Sequence, residues 1–223
     1  MASAERMTDA PTDRTRPRRH PERGDHSAAT IRAILDAGLV AHVGFDRGSD
    51  GPVVLPMAYA RLGDSIYVHG AKANRMLRRL MTGGHACLTV TLLDGLVLSR
   101  SAFHHSMNYR SVMVFGRGQE VTDDEERMAV AAALVDRMVP GRSEVARMPS
   151  EAELKLTTFV RFPLDEASAK VRSGPPTEEP ADLDLGIWGG VVPIETRAAD
   201  LVPDDHPGGG VPDLSTVAWQ TSS

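Results

Sequence analysis

Alternating apolar and polar positions predict short strands along most of this chain. The runs "LVAHVGF", "PVVLPMAYARL" and "SIYVHG" are separated by "DRGSDG" and by Gly63-Asp64, the spacing of antiparallel β-structure. In "HACLTVTLLDGLVLSRSAF", Cys87, Thr89 and Thr91 alternate with Ala86, Leu88, Val90 and Leu92, so one face is the more polar. Asp94-Gly95 within that run predicts a hairpin turn. Arg110 to Phe115, "LTTFVRFPL" and "SAKVRS" supply the remaining strands.

Helical spacing replaces alternation in three places. "DHSAATIRAILDAG" puts Ile31, Ile34 and Leu35 on one face, with Ser27 or Asp25 as cap and Gly38 as stop. "NRMLRRLMTGG" makes a stripe of Met76, Leu77, Leu80 and Met81. A capping box, Thr122 to Glu125, opens a helix that runs to about Val139 before Pro140-Gly141. About seven short strands with two or three helices predict a mainly β protein, a barrel with helical additions.

Composition sets the boundaries. Residues 1–26 carry six Arg against five acidic residues and contain Pro11, Pro17 and Pro21, so 1–24 is expected to be a disordered, solvated tail. Residues 25–173 are the expected barrel domain. After Ser173, "GPPTEEPADLDL" begins an acidic arm over 174–200, and "PDDHPGGGVPDL" belongs to a flexible tail over 201–223. The apolar island "IWGGVVPIE" within the arm implies docking on the core or on a second subunit.

Charge and cysteine content narrow the chemistry. The net charge is −5, and the 18 basic and 16 acidic residues between 27 and 173 leave the core near neutral. No basic face suggests a nucleic-acid partner. No run approaches the ~18–20 apolar residues of a membrane helix, and the N-terminus lacks the apolar core of a secretory signal. The expectation is a cytoplasmic protein without nucleic-acid or membrane partners. The single Cys87 excludes an intramolecular disulfide framework.

Two stretches carry candidate chemistry. In "YVHGAKANRM" a strand ends at His69, Gly70 permits a close turn, and Lys72 precedes a helix starting near Asn74. Free amides at a helix start beside an ammonium make a phosphate site. The alternative is a surface loop with Arg75, Arg78 and Arg79 facing water. In "FHHSMNYRSVMVFG", His104 and His105 point to opposite faces of a strand, which does not favour a metal. Cys87 sits mid-strand, and no Gly-x-Ser-x-Gly elbow occurs. Side chains that name no reaction favour a cofactor that brings its own.

The ordered motifs "PVVLPMAY", "SIYVHGAKANRML", "HHSMNYRSVMVFG", "SAK" and "WGGVVP" resemble the flavin-nucleotide-binding branch of the pyridoxamine 5′-phosphate oxidase-like split barrels, a branch that includes nitroimidazole-resistance proteins. The likeness covers roughly residues 18–195. It implies an antiparallel split β-barrel and a homodimer with FMN in each of two clefts between subunits. It implies that Val54, Leu55, Pro56 and Met57 line the isoalloxazine ring. His69, Gly70, Lys72 and Asn74 would meet the ribityl phosphate; Arg110 and Ser111 the phosphate or ring edge. Tyr109 and Trp188 would lie near the flavin, Trp188 from the other subunit.

The chain lacks the Arg-x-His motif of true pyridoxamine 5′-phosphate oxidases after Trp188. An FMN-dependent oxidoreductase acting on another small organic substrate is therefore expected. Alternatives are a haem-binding split barrel ligated by His42, His69 or His105, a deazaflavin protein, and a non-catalytic flavin-binding dimer.

Overall fold

The computed structural model describes residues 10–206 and 208–220. Among these, the first half of the fold is β1 (Gly24–Asp25), α1 (Ala28–Ala37), β2 (Val40–Asp46), β3 (Pro52–Leu62), β4 (Ser65–Ala71), α2 (Arg75–Met81) and β5 (His85–Leu98). The second half is β6 (Ser106–Arg117), β7 (Gln119–Glu120), α3 (Asp124–Met138), α4 (Arg142–Val145), α5 (Glu151–Leu156), β8 (Thr157–Pro163), β9 (Ala167–Arg172) and β10 (Gly190–Pro193). The strands form one antiparallel sheet in the order β1-β9-β6-β5-β2-β3-β4-β8-β7, with β10 added on β5. The sheet curls into a split barrel that does not close.

Helix starts follow local chemistry. Ser27 accepts the Thr30 amide at α1, and Asp123 accepts the Glu126 amide at α3, one residue later than the expected Thr122. A capping box of Ser150 and Glu153 opens α5, a short helix the apolar pattern does not announce.

Two apolar clusters organise the packing. The barrel interior holds Val43, Ile66, Val68, Leu88, Val90, Val112, Val114 and Phe162, closed by Ile34 and Leu35 of α1 and by Leu77 and Leu80 of α2. A second cluster joins Ala60, Tyr67 and Phe159 to Val130, Ala131 and Leu134 of α3 and Leu154 of α5. Arg137 of α3 donates to the carbonyls of Leu35 and Gly38, and the Tyr59 hydroxyl donates to Leu35 at 2.5 Å. The C-terminus of α1 is thereby capped from two other elements.

Three expectations change. Asp94-Gly95 is a bulge inside one continuous strand, not a hairpin turn, since the β5–β6 register shifts between Leu93 and Gly95. Asp94 is held by Arg110 at 2.7 and 2.9 Å. A Cβ at Gly95 would lie 3.0 Å from Val191 and 3.1 Å from the Val192 carbonyl, so the glycine admits β10.

The segment before β1 also packs on the barrel. Arg14 forms an ion pair with Glu166 and lies over the Phe115 ring, Thr15 is buried, and Lys170 donates to the Arg19 carbonyl at 3.1 Å. Residues 1–9 of the expected tail lie outside the described residues. The acidic arm is attached to its own barrel: Glu178 accepts from Ser99 at 2.8 Å and from Arg100, and β10 lies on β5. Of the expected C-terminal tail, Val217 is buried and the Trp219 indole donates to the Met138 carbonyl at 2.8 Å. Pro207 and residues 221–223 of that tail lie outside the described residues.

Candidate functional site

Strand parity separates residues that are adjacent in sequence. In β4, Ile66 and Val68 enter the barrel interior, whereas Tyr67 and His69 face the α3–α5 layer. His69 lines a cavity of about 380 Å³ with Ala131, Leu134, Met138, Leu154, Thr157 and Phe159. Its ring stacks on Phe159 with centroids 6.1 Å apart. Nδ1 is buried, and neither ring nitrogen has a hydrogen-bond partner among the described residues. Burial pushes the His69 pKa down, so the imidazole is held neutral with a lone pair available. At the exposed rim, Arg147 pairs bidentately with Glu153, both contacts at 2.9 Å, and this pairing together with the Ser150 amide takes the Glu153 carboxyl down to about 2.

The expected phosphate loop is thus divided. His69 turns towards the cavity, while Lys72 is exposed and anchored only through its backbone, whose amide donates to Leu156 at 2.9 Å. The Asn74 side chain accepts the Met76 and Leu77 amides at 2.9 and 3.4 Å. Those two amides are therefore not free to bind an anion.

The outer sheet face gathers only some of the other expected residues: Val54, Pro56, Tyr109 and Ser111. Val54 and Pro56 face outwards and Val54 is 61% exposed, whereas Met57 packs with Val53 against the core. Leu55, on the Met57 side by parity, is half-exposed. Pro56, His42, Thr89 and Met113 align across β3, β2, β5 and β6; Val54, Gly44, Cys87 and Phe115 form the next row. Beyond the bulge, exposed Val192, Leu96 and Met107 align across β10, β5 and β6. The extra residue at Asp94 therefore keeps exposed side chains on one face as parity switches from Leu93 to Leu96.

Arg110 and Ser111 fall on opposite faces of β6. Arg110 shares parity with buried Asn108 and Val112 and is tied to Asp94, whereas Ser111, with Tyr109, shares parity with Met113 and donates to the Lys170 carbonyl at 3.3 Å. Trp188 is 63% exposed, and the next residue, Gly189, lies against the Arg100–Glu178 pair that pins the arm. Among the histidines considered as haem ligands, His42 and His105 are exposed, and His105 contacts the Ser101 carbonyl at 3.0 Å. No group of three or more His, Cys, Asp or Glu among the described residues is placed to hold a metal ion.

Fold and site define the class: a flavin-type split barrel with a helix-covered histidine cavity outside the barrel. The chain belongs to the pyridoxamine 5′-phosphate oxidase family, whose profile matches residues 27–171. It is similar to the flavocytochrome Anf3 from Azotobacter vinelandii, with 35% identity over 97% of this chain and 100% of that one, and a TM-score of 0.86. It is also similar to the FAD and haem binding protein from Mycobacterium smegmatis, with 33% identity over 85% of this chain and 94% of that one, and a TM-score of 0.78. A Bacteroides thetaiotaomicron structure named for 5-nitroimidazole antibiotic resistance shares the fold at 21% identity, covering 66% of this chain and 86% of that one, with a TM-score of 0.55. Among curated proteins none matches.

The cavity lining was not legible in the sequence. Ala131, Leu134 and Met138 read only as part of the helix that ends near Val139, and nothing local connects them to His69 some 65 residues before Leu134.

Proposed function

We propose that this protein is a homodimeric redox protein of flavocytochrome type, with haem ligated by His69 and flavin bound between protomers. The observation that carries the reading is the neutral, unpartnered imidazole of His69 in an apolar cavity of about 380 Å³. That volume falls in the range of ligand pockets, roughly 300–1,000 Å³. The two relatives above 30% identity are named for a flavocytochrome and for FAD and haem binding, which supports both cofactors.

Haem and flavin together couple one-electron to two-electron chemistry. The chain's part is to hold them. His69 would hold the haem iron through a ring nitrogen; Phe159, Leu134 and Leu154 would shield it from water; Arg147 at the rim could exchange Glu153 for another carboxylate. On the outer face, Val54 and Pro56 offer an apolar wall and Ser111 and Tyr109 polar groups, while Lys72, in the turn after β4, offers a charge for the phosphate of FMN or of the FMN half of FAD. Trp188 closes the cleft from the second subunit. A small organic substrate would meet the ring between these walls, which retains the oxidoreductase expectation. The exposed row Val192–Leu96–Met107 supports dimerisation, because such apolar patches on soluble proteins mark interfaces.

The test is absorption spectroscopy of the full chain loaded with haem and FMN. His69→Ala should abolish the Soret band and leave the flavin band, whereas His42→Ala and His105→Ala should retain both. Full haem stoichiometry in His69→Ala would overturn the assignment.

A further inference from the structure

The His69 cavity has a firm floor and an outer wall assembled from short pieces. The floor is sheet: His69 of β4 lies opposite Phe159 of β8, and Thr157 continues the same ladder. Leu134, Val135 and Met138 of the wall come from the end of α3, and Arg147 and Pro149 from the segment between α4 and α5. α4 has four residues and α5 six, too few to persist as helices without outside support. Of the two sides, the outer one is free to move.

Three ties hold the end of α3. Arg137 donates to the Leu35 and Gly38 carbonyls, and Asp136 accepts the Ser143 amide and hydroxyl, both at 2.7 Å. The third tie comes from the C-terminal segment. Carbonyls in the last turn of a helix lack partners within it, and the Trp219 indole donates to that of Met138 at 2.8 Å. Met138 therefore gives its side chain to the cavity and its carbonyl to the tail.

The tail has few other attachments. No strand or helix follows Pro193 among the described residues, and Leu201, Val202 and Val211 are exposed. At Val217 the segment turns inwards: Val217 is buried, and the Gln220 side chain accepts the Ala198 amide at 3.0 Å and donates to the Leu214 carbonyl at 2.6 Å. Segments with so few buried contacts open at low cost. One of the points that fastens this one is the cavity wall.

We propose that Leu214–Gln220 is a latch on the His69 cavity, with Trp219 as the residue that positions the wall. The end of α3 swings out for an occupant to enter or leave, and the Trp219–Met138 bond holds it in. The inference rests on the haem reading above for the occupant and deepens it with the route of exchange. A weaker latch raises the open fraction, so entry and exit both quicken by the same factor while affinity stays level.

The experiment is stopped-flow uptake of haemin by the haem-free full chain, paired with haem loss from the loaded chain to excess apomyoglobin. Trp219→Phe keeps an aromatic ring and removes the donor. Both rates should rise about fivefold, the worth of one hydrogen bond. Gln220→Ala, which cuts the ties to Ala198 and Leu214, should act in the same direction. Val202→Ala, exposed in the same segment, should leave both rates unchanged.

Haem loss that quickens while uptake does not would mean that Trp219 merely supports the wall, and would overturn the latch. Equal rates in the wild type and Trp219→Phe would overturn it too. A wild type that binds no haemin overturns the haem reading instead. The latch is then judged with 8-anilinonaphthalene-1-sulfonate, an apolar anion: it stands if Trp219→Phe speeds uptake and release of the dye alike. It falls if either rate is unchanged or no dye enters.

Discussion

Gly38 was expected to end α1 through the backbone freedom of glycine, yet its φ of −88° and ψ of 152° are open to any residue. Space is the constraint: a Cβ there would lie 2.3 Å from Val90 Cγ1 and 2.8 Å from the Tyr59 hydroxyl, both side chains being buried. Gly38→Ala should destabilise the protein by ~1–3 kcal/mol, lowering Tm by about 2–4 °C per kcal/mol. An unchanged melting curve would mean that Val90 and Tyr59 give way freely. His69 carries a second consequence. Its folded pKa is lowered by burial, so the unfolded chain takes up the proton first as the solution is acidified. The stability it contributes is complete above the unfolded value of about 6.5 and falls as pH drops below it. Urea midpoints should therefore decline on the acid side of neutrality in the wild type and more shallowly in His69→Phe.

Among elements, the N-terminal strap includes one ion pair that responds to pH. Arg14 and Thr12 hold the Glu166 carboxyl at about 2, well below its ordinary range. Since the folded pKa is depressed, this tether is fully present above roughly pH 4.5 and is lost as pH falls towards the folded value. Glu166→Gln should speed tryptic cleavage after Arg18 and Arg19 several-fold at pH 8, where the wild-type strap is closed. Equal cleavage rates would show that Thr15 burial and the Lys170–Arg19 bond suffice. The bulge in β5 shows why local turn signals misled: Asp-Gly favours a tight turn in isolation, but Arg110 across the sheet and β10 alongside hold the strand extended.

For the whole molecule, the proposed dimer follows from apolar surface that a single chain leaves uncovered. Val54 is 61% exposed, and Val192, Leu96 and Met107 form an exposed row over three strands. Leu96→Glu/Met107→Glu should shift sedimentation from dimer to monomer at micromolar concentration, because two buried carboxylates at an interface stay unpaired. A variant that sediments as the wild type does would move the interface elsewhere. The sequence by itself determined most of the long strands, the helices α1, α2 and α3, the Ser27 cap of α1, and the family motifs in their order. These are local: period-2 and period-3.6 patterns and turn residues act over a few positions. Tertiary structure alone decided that His69 leaves the phosphate loop for a cavity beneath α3, that Arg110 is tied to Asp94, and that the three arginines of α2 find no carboxylate among the described residues. Each depends on which distant side chain packing brings near, and pairwise contact across tens of residues leaves no signature in the local pattern.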